Sequence, residues 1–134
     1  MQSAVIIISA VLWLAANGSY AQSVQVGKYS GTLRAVNLRL MQPPQYVFPI
    51  IIEIASADNG RLKGTIHSPD DRDCGNQPQA AEGTYDGRNL TFRSVEARTV
   101  RGCDELMFQG ISEGGKLVGK MPFNRYLWDI TLSK

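Results

Sequence analysis

The sequence predicts an all-β protein, an eight-stranded antiparallel up-and-down meander closed into a barrel and held by one disulfide. Three observations predict it. Beyond the first segment the apolar residues recur with a period of two, and no stretch of ten or more keeps a helical period. Asp58-Asn59-Gly60, Asp86-Gly87 and Glu113-Gly114-Gly115 each stand between two alternating runs, as tight hairpin turns do. The two cysteines, Cys74 and Cys103, fall in connections that a meander brings to the same end. A strand gained or lost between them would put them at opposite ends, beyond the roughly 4.4–6.8 Å Cα separation a bridge tolerates.

Taken in chain order, Tyr29 and Leu33 open the first strand, with Leu38 and Leu40 following after a bend. Phe48, Ile50, Ile52 and Ile54 share one face of a strand from Tyr46 to Ala57, and Leu62, Gly64 and Ile66 carry that face back. After a loop over Ser68 to Gln79 come Ala81, Gly83 and Tyr85, then Leu90 and Phe92. A loop from Ala97 to Asp104 leads to Leu106, Phe108 and Gly110, and the return runs through Leu117, Gly119 and Met121. Tyr126, Trp128, Ile130 and Leu132 close the chain after a connection over Pro122 to Arg125. Alternate loops of a meander share a side, so the three Gly turns mark a plain end. The long connections mark a loop end, where Cys74 and Cys103 meet.

The composition narrows the class. At 134 residues, 43% of them hydrophobic, the chain fits one domain and is too apolar to stay disordered. Its 14 basic residues against 12 acidic ones leave a formal charge of only +2, with no block of like charge, so nucleic acid is not an expected partner. Residues 1–21 read as a signal peptide: Ala4 to Ala16 is almost purely apolar, and Ser19-Tyr20-Ala21 supplies the small-x-small cleavage site. The absence of Lys or Arg in Met1-Gln2-Ser3 departs from the usual pattern, and the alternative is an uncleaved anchor. The expected product is a secreted or periplasmic domain over residues 22–134, with no stable membrane insertion. In that oxidising setting Cys74 and Cys103 pair by default, and closing a loop of about 30 residues stabilises by roughly 3–4 kcal/mol.

Gly27-Lys28-Tyr29, with the meander of Gly-turn hairpins over residues 27–134, resembles the calycin group of lipocalin-like and avidin-like barrels, Tyr standing where lipocalins carry Trp. The resemblance implies a secreted binder holding a small molecule at its open mouth. Avidin-like proteins line that site with several Trp, whereas only Trp128 lies beyond the signal segment here, so biotin is not implied.

Enzyme signatures fail on context. Gly110-Ile111-Ser112-Glu113-Gly114 has the spacing of a nucleophile elbow, but a hairpin follows it and no His lies downstream. Gly114 to Lys120 has phosphate-loop spacing, yet Met121 replaces the magnesium-binding hydroxyl and Pro122 blocks a helix. The lone His67 and its neighbour Ser68 point to opposite faces of a strand, and a solvated His is expected. Neither an enzyme nor a cofactor is expected. Asp70, Asp71 and Asp73 with Glu82 sketch a calcium loop, but Gly75 stands one place early and Pro78 interrupts it. An irregular calcium site and a solvated acidic loop partnered by Arg72 are the two readings, and no metal is assigned. Asn89-Leu90-Thr91 is a glycosylation sequon, with meaning only in a eukaryotic host.

The candidate site is the loop end, where Tyr46, Asp70, Asp71, Arg72, Asp73, Arg98, Arg101, Asp104, Asn124 and Arg125 are expected to gather. Arg98, Arg101 and Arg125 have the chemistry to clamp a carboxylate or phosphate; as ordinary solubilising charges they would look the same. Inward Gly64, Gly83, Gly110 and Gly119 either leave a cavity or relieve crowding in a tight barrel. A second surface is the outward set Ile51, Met107, Ile111, Val118 and Leu127, the expected face of a homodimer. The expected function is to bind a small, partly apolar ligand, with or without an anionic group, at the loop end. The alternative is a protein-interaction or inhibitor module acting on an extracytoplasmic protein through loops 68–79 and 97–104.

Overall fold

The computed structural model describes residues 24–36, 46–71, 76–95 and 105–134. Within them eight strands form one closed antiparallel barrel in sequence order: β1 (Gly27–Ala35), β2 (Tyr46–Asp58), β3 (Arg61–His67), β4 (Gln79–Tyr85), β5 (Asn89–Ser94), β6 (Met107–Glu113), β7 (Lys116–Phe123) and β8 (Tyr126–Ser133). Closure is made by β1 against β8, with Ser30 opposite Ser133, and it leaves no sheet edge unpaired. The expected all-β meander is the fold observed. The signal segment 1–21, Leu38 and Leu40, and both Cys74 and Cys103 with their expected disulfide lie outside the described residues.

The alternation read from the sequence is the alternation of burial. Ile50, Ile52 and Ile54 on β2, Leu62 and Ile66 on β3, Leu90 and Phe92 on β5, and Leu117 and Met121 on β7 are all buried in one core with Tyr29 and Phe108. Transfer of these side chains from water is the main force holding the fold, at roughly 1.5–3 kcal/mol for each large one. Val24 is also buried in this core: the chain ahead of β1 passes under the barrel, where the Tyr29 hydroxyl donates to the Gln25 carbonyl at 2.6 Å. Burial raises the pKa of that phenol, which stays neutral.

Three hairpins close with two-residue turns whose central residues are both left-handed: Asn59-Gly60 (φ 53°, 77°), Gly114-Gly115 (φ 57°, 77°) and Asn124-Arg125 (φ 54°, 72°). Positive φ at both places is the mark of the I′ turn that matches strand twist. At Asp86-Gly87 the Asp86 carboxylate instead accepts the backbone N–H groups of Arg88 and Asn89, at 3.0 and 2.7 Å. These hydrogen bonds, from Asn89 and then Arg88, hold the carboxyl below its usual pKa.

Two features depart from simple alternation. A bulge at Ala55 shifts the β2–β3 register between Ile54 and Ser56, so that the core-packed position moves from Ile54 to Ala57. The connection expected over Pro122 to Arg125 is only Asn124-Arg125, because Pro122 and Phe123 continue β7 and pair with Leu127 and Tyr126. Proline is tolerated there because the β6 ladder against β7 runs only from Lys120 to Lys116, so no bond to β6 is lost.

The inward glycines let neighbouring strands approach closely. A methyl carbon on Gly64 or Gly83 would overlap the carbonyl oxygen of Glu53 or Thr91 on the neighbouring strand, and Gly31, Gly110 and Gly119 are as tightly placed. Gly110 and Gly119 face each other directly across β6 and β7. The backbone is coiled so sharply at these points that only hydrogen fits.

Candidate binding site at the loop end

β2 begins, β7 ends and β8 begins at the loop end, and each places aromatic residues there in the inward phase. The Phe123 ring lies 5.3 Å from Tyr46 and 5.0 Å from Phe48, tilted by 57° and 56°. On the same rim Tyr126 meets Trp128 edge-on at 6.1 Å. The indole N–H of Trp128 donates to the Phe123 carbonyl at 2.8 Å, which fixes its ring across the hairpin. Phe48, Phe123 and Trp128 are half-buried, packed on the core below, while Tyr46 and Tyr126 are 38% and 52% exposed.

Exposed apolar residues concentrate at this end. Among the described residues Val36, Tyr46, Val47, Val95, Tyr126 and Leu127 belong to it, whereas of the exposed large hydrophobics only Val26 and Val118 lie elsewhere. The opposite end carries Asp58, Asn59, Arg61, Asp86, Arg88 and Lys116 around its turns. Val36, Val47, Val95 and Leu127 stand in the outward phase of the strands they belong to or directly follow, whereas Tyr46 and Tyr126 stand in the inward phase with the rings at the mouth.

Of the expected site residues, Tyr46 stands at the first position of β2 and Asn124 and Arg125 form the β7–β8 turn, all three exposed. Asp70 and Asp71 lie in the turn after β3, where the Asp71 N–H donates to the Ser68 carbonyl at 3.1 Å. Arg72, Asp73, Arg98, Arg101 and Asp104 lie outside the described residues. Glu82, weighed as a calcium ligand, is on β4 between Lys63 and Arg93 in the ladder. Among the described residues no three His, Cys, Asp or Glu side chains are grouped to hold a metal ion. Ser112 of the elbow-like motif sits within β6 opposite Leu117.

The outward apolar set is not one face. Ile111 opposes Val118 near the plain end, Leu127 opposes Pro122 near the loops, and the row Gln109, Lys120 and Asp129 runs between them. Lys120 and Asp129 are ion-paired across that row at 2.9 Å, and Ile51 is on β2 between Ser30 and His67. The members of the set on β6, β7 and β8 are therefore split, with Ile111 and Val118 toward the plain end and Met107, at the start of β6, and Leu127 toward the loops. An open groove of about 620 Å³ runs along β3, β4 and β5, its lining including Arg61, Lys63, Glu82, Thr84, Thr91 and Arg93. Glu105 engages Arg93 at 2.7 Å, so the groove is close to charge-balanced.

His67 departs from the solvated histidine expected. It is half-buried, and its Nδ1 atom is buried with no hydrogen-bond partner. Burial, with Lys28 nearby, lowers its pKa. Its neighbour Ser68 is buried and donates to the Pro49 carbonyl at 2.8 Å.

No protein-family model, curated protein or solved structure matches this chain. The site must be read from its own chemistry. Sequence reasoning put its candidate site at the loop end through the charges there and did not single out Phe48, Tyr126 and Trp128, read as inward strand residues, or Phe123, read as part of the connection over Pro122 to Arg125. The available signal was their position: each lies within three residues of a strand terminus on the loop side.

Proposed function

We propose that this protein is an exported, non-enzymatic binding module whose loop end receives a small, partly apolar, anionic ligand. The exposed rings of Tyr46 and Tyr126, in contact with the half-buried rings of Phe123 and Trp128 beside Phe48, carry the reading. The closed eight-stranded meander supports the likeness to calycin barrels, and the apolar segment ahead of residue 22 supports secretion with cleavage after Ala21. In this reading Cys74 and Cys103 are bridged and pin the two longest loops at the mouth. On the same reading the ligand lies on the aromatic shelf, above the fully buried side chains of Tyr29, Phe92 and Phe108.

The large side chains buried inside the barrel also favour a second reading, an inhibitor or interaction module that offers its rim and loops 68–79 and 97–104 to another extracytoplasmic protein. A thermal-shift screen of metabolites and lipids against the mature protein, run beside pull-down from the exported proteome, separates the two. A small molecule that raises the melting temperature and protects the Trp128 fluorescence from quenching supports the first. A protein captured by the wild type and lost with Tyr126→Ala, with no small-molecule shift, supports the second.

A further inference from the structure

The three two-residue hairpin turns of this barrel form an internal comparison. All are left-handed at both central positions, and the second position holds Gly60 and Gly115 at the plain end but Arg125 at the loop end. Glycine adopts that conformation without steric cost, whereas an arginine's Cβ is crowded against its own backbone. The φ of Arg125, 72°, lies close to the 77° of Gly60 and Gly115, so the backbone makes no concession to the larger residue.

Arg125 gains nothing visible in return. Its side chain is exposed and makes no ion pair or hydrogen bond with a described residue. A residue held in an unfavourable conformation without a compensating contact points to a contact made with something else. Its surroundings say what: Asn124 and Arg125 together join Phe123 to Tyr126, which are paired across the turn, and Tyr126 meets Trp128. A cation thus stands at the rim of a surface built of aromatic rings.

We infer that Arg125 is the anion-recognising residue of the loop end, and that the ligand class is an organic anion with a flat apolar body, a carboxylate, sulfonate or phosphate on an aromatic frame. The guanidinium takes the anionic group by charge-assisted hydrogen bonds, and the rings of Tyr126 and Trp128 take the body. This rests on the proposed mouth site and adds the residue that sets its specificity.

Two fluorescent probes that differ in one group test it. 8-Anilinonaphthalene-1-sulfonate carries the anion, and N-phenyl-1-naphthylamine has the same body without it. The folded wild type is expected to bind one molecule of the sulfonate per chain, about tenfold more tightly than the neutral probe. R125G is expected to melt several degrees higher, because glycine relieves the turn, while losing that tenfold preference and keeping its affinity for the neutral probe. R125K keeps the preference and gains no stability. Tyr126→Ala weakens both probes alike. If R125G melts higher and binds both probes as the wild type does, the role of Arg125 is overturned and the mouth site stands. If R125G melts lower, Arg125 is a structural residue and the inference fails. If the wild type binds neither probe, the mouth reading fails and this inference with it.

Discussion

Phe123 on β7 packs its ring 5.0 Å from that of Phe48 on β2, although β1 and β8 stand between those strands in barrel order. The contact therefore crosses the mouth, and with Tyr46 it ties opposite walls together. Phe123→Ala removes two ring contacts, each worth about 0.5–1.5 kcal/mol beyond area burial, so a loss of about 2–3 kcal/mol is expected in urea unfolding. Tyr126→Ala, whose side chain is over half exposed, is expected to cost under about 1 kcal/mol. Equal losses from the two variants would show that Phe123 does not brace the mouth.

Gly83 and Gly114 separate two reasons for glycine. At Gly83, in the middle of β4, an added methyl meets the Thr91 backbone, which cannot turn aside as a side chain would. Gly83→Ala is expected to cost about 3 kcal/mol or more, at or beyond the upper end of ordinary overpacking. At Gly114 nothing lies within 4 Å of the added carbon, and only its φ of 57° resists substitution. Gly114→Ala is expected to cost about 1–2 kcal/mol. Chemical denaturation of both variants checks the order; a milder effect at Gly83 would show that β4 can shift away from β5.

Ser68 completes the ladder where β2 has run past the end of β3. β2 pairs with β3 only from Ile51 onward, and the Ser68 hydroxyl takes the carbonyl of Pro49 two residues earlier. Ser68→Ala strips a donor from a buried site and is expected to destabilise by about 1–2 kcal/mol. Equilibrium unfolding gives the value directly. An unchanged midpoint would mean that water replaces the hydroxyl.

The barrel was legible because each inward run, such as Ile50, Ile52 and Ile54 against Leu62, Gly64 and Ile66, repeats every second residue and stops at a Gly turn. What the pattern could not carry was any feature that leaves the alternation. The bulge at Ala55 moves one residue out of register without a Gly or Pro to announce it. Pro122 reads as a loop because proline is rare in ladders, and only the shorter β6 pairing makes room for it. Val24 looks like the flank of a signal peptide, and its burial depends on the chain turning under the barrel. The candidate site was half legible for a related reason. Charges stand out in loops, as Arg125 does, whereas Phe48, Phe123 and Trp128 share the inward phase of the core and become surface only because their strands end beside them.

His67 makes stability depend on pH in a known direction. In the folded chain burial first, and the Lys28 charge second, hold its pKa below the ordinary value of 6.5, while the unfolded chain titrates near that value. Below about pH 6.5 the unfolded state therefore takes up a proton that the folded state refuses, and stability falls as the pH drops toward the folded pKa. His67→Leu removes the titration and the unpartnered Nδ1 together. The difference in urea midpoint between His67→Leu and the wild type is expected to be small at pH 8 and to widen steadily toward pH 5, with Lys28→Gln reducing the slope in the wild-type background. A difference that stays constant across that range would mean that His67 is as free to protonate in the barrel as in the unfolded chain.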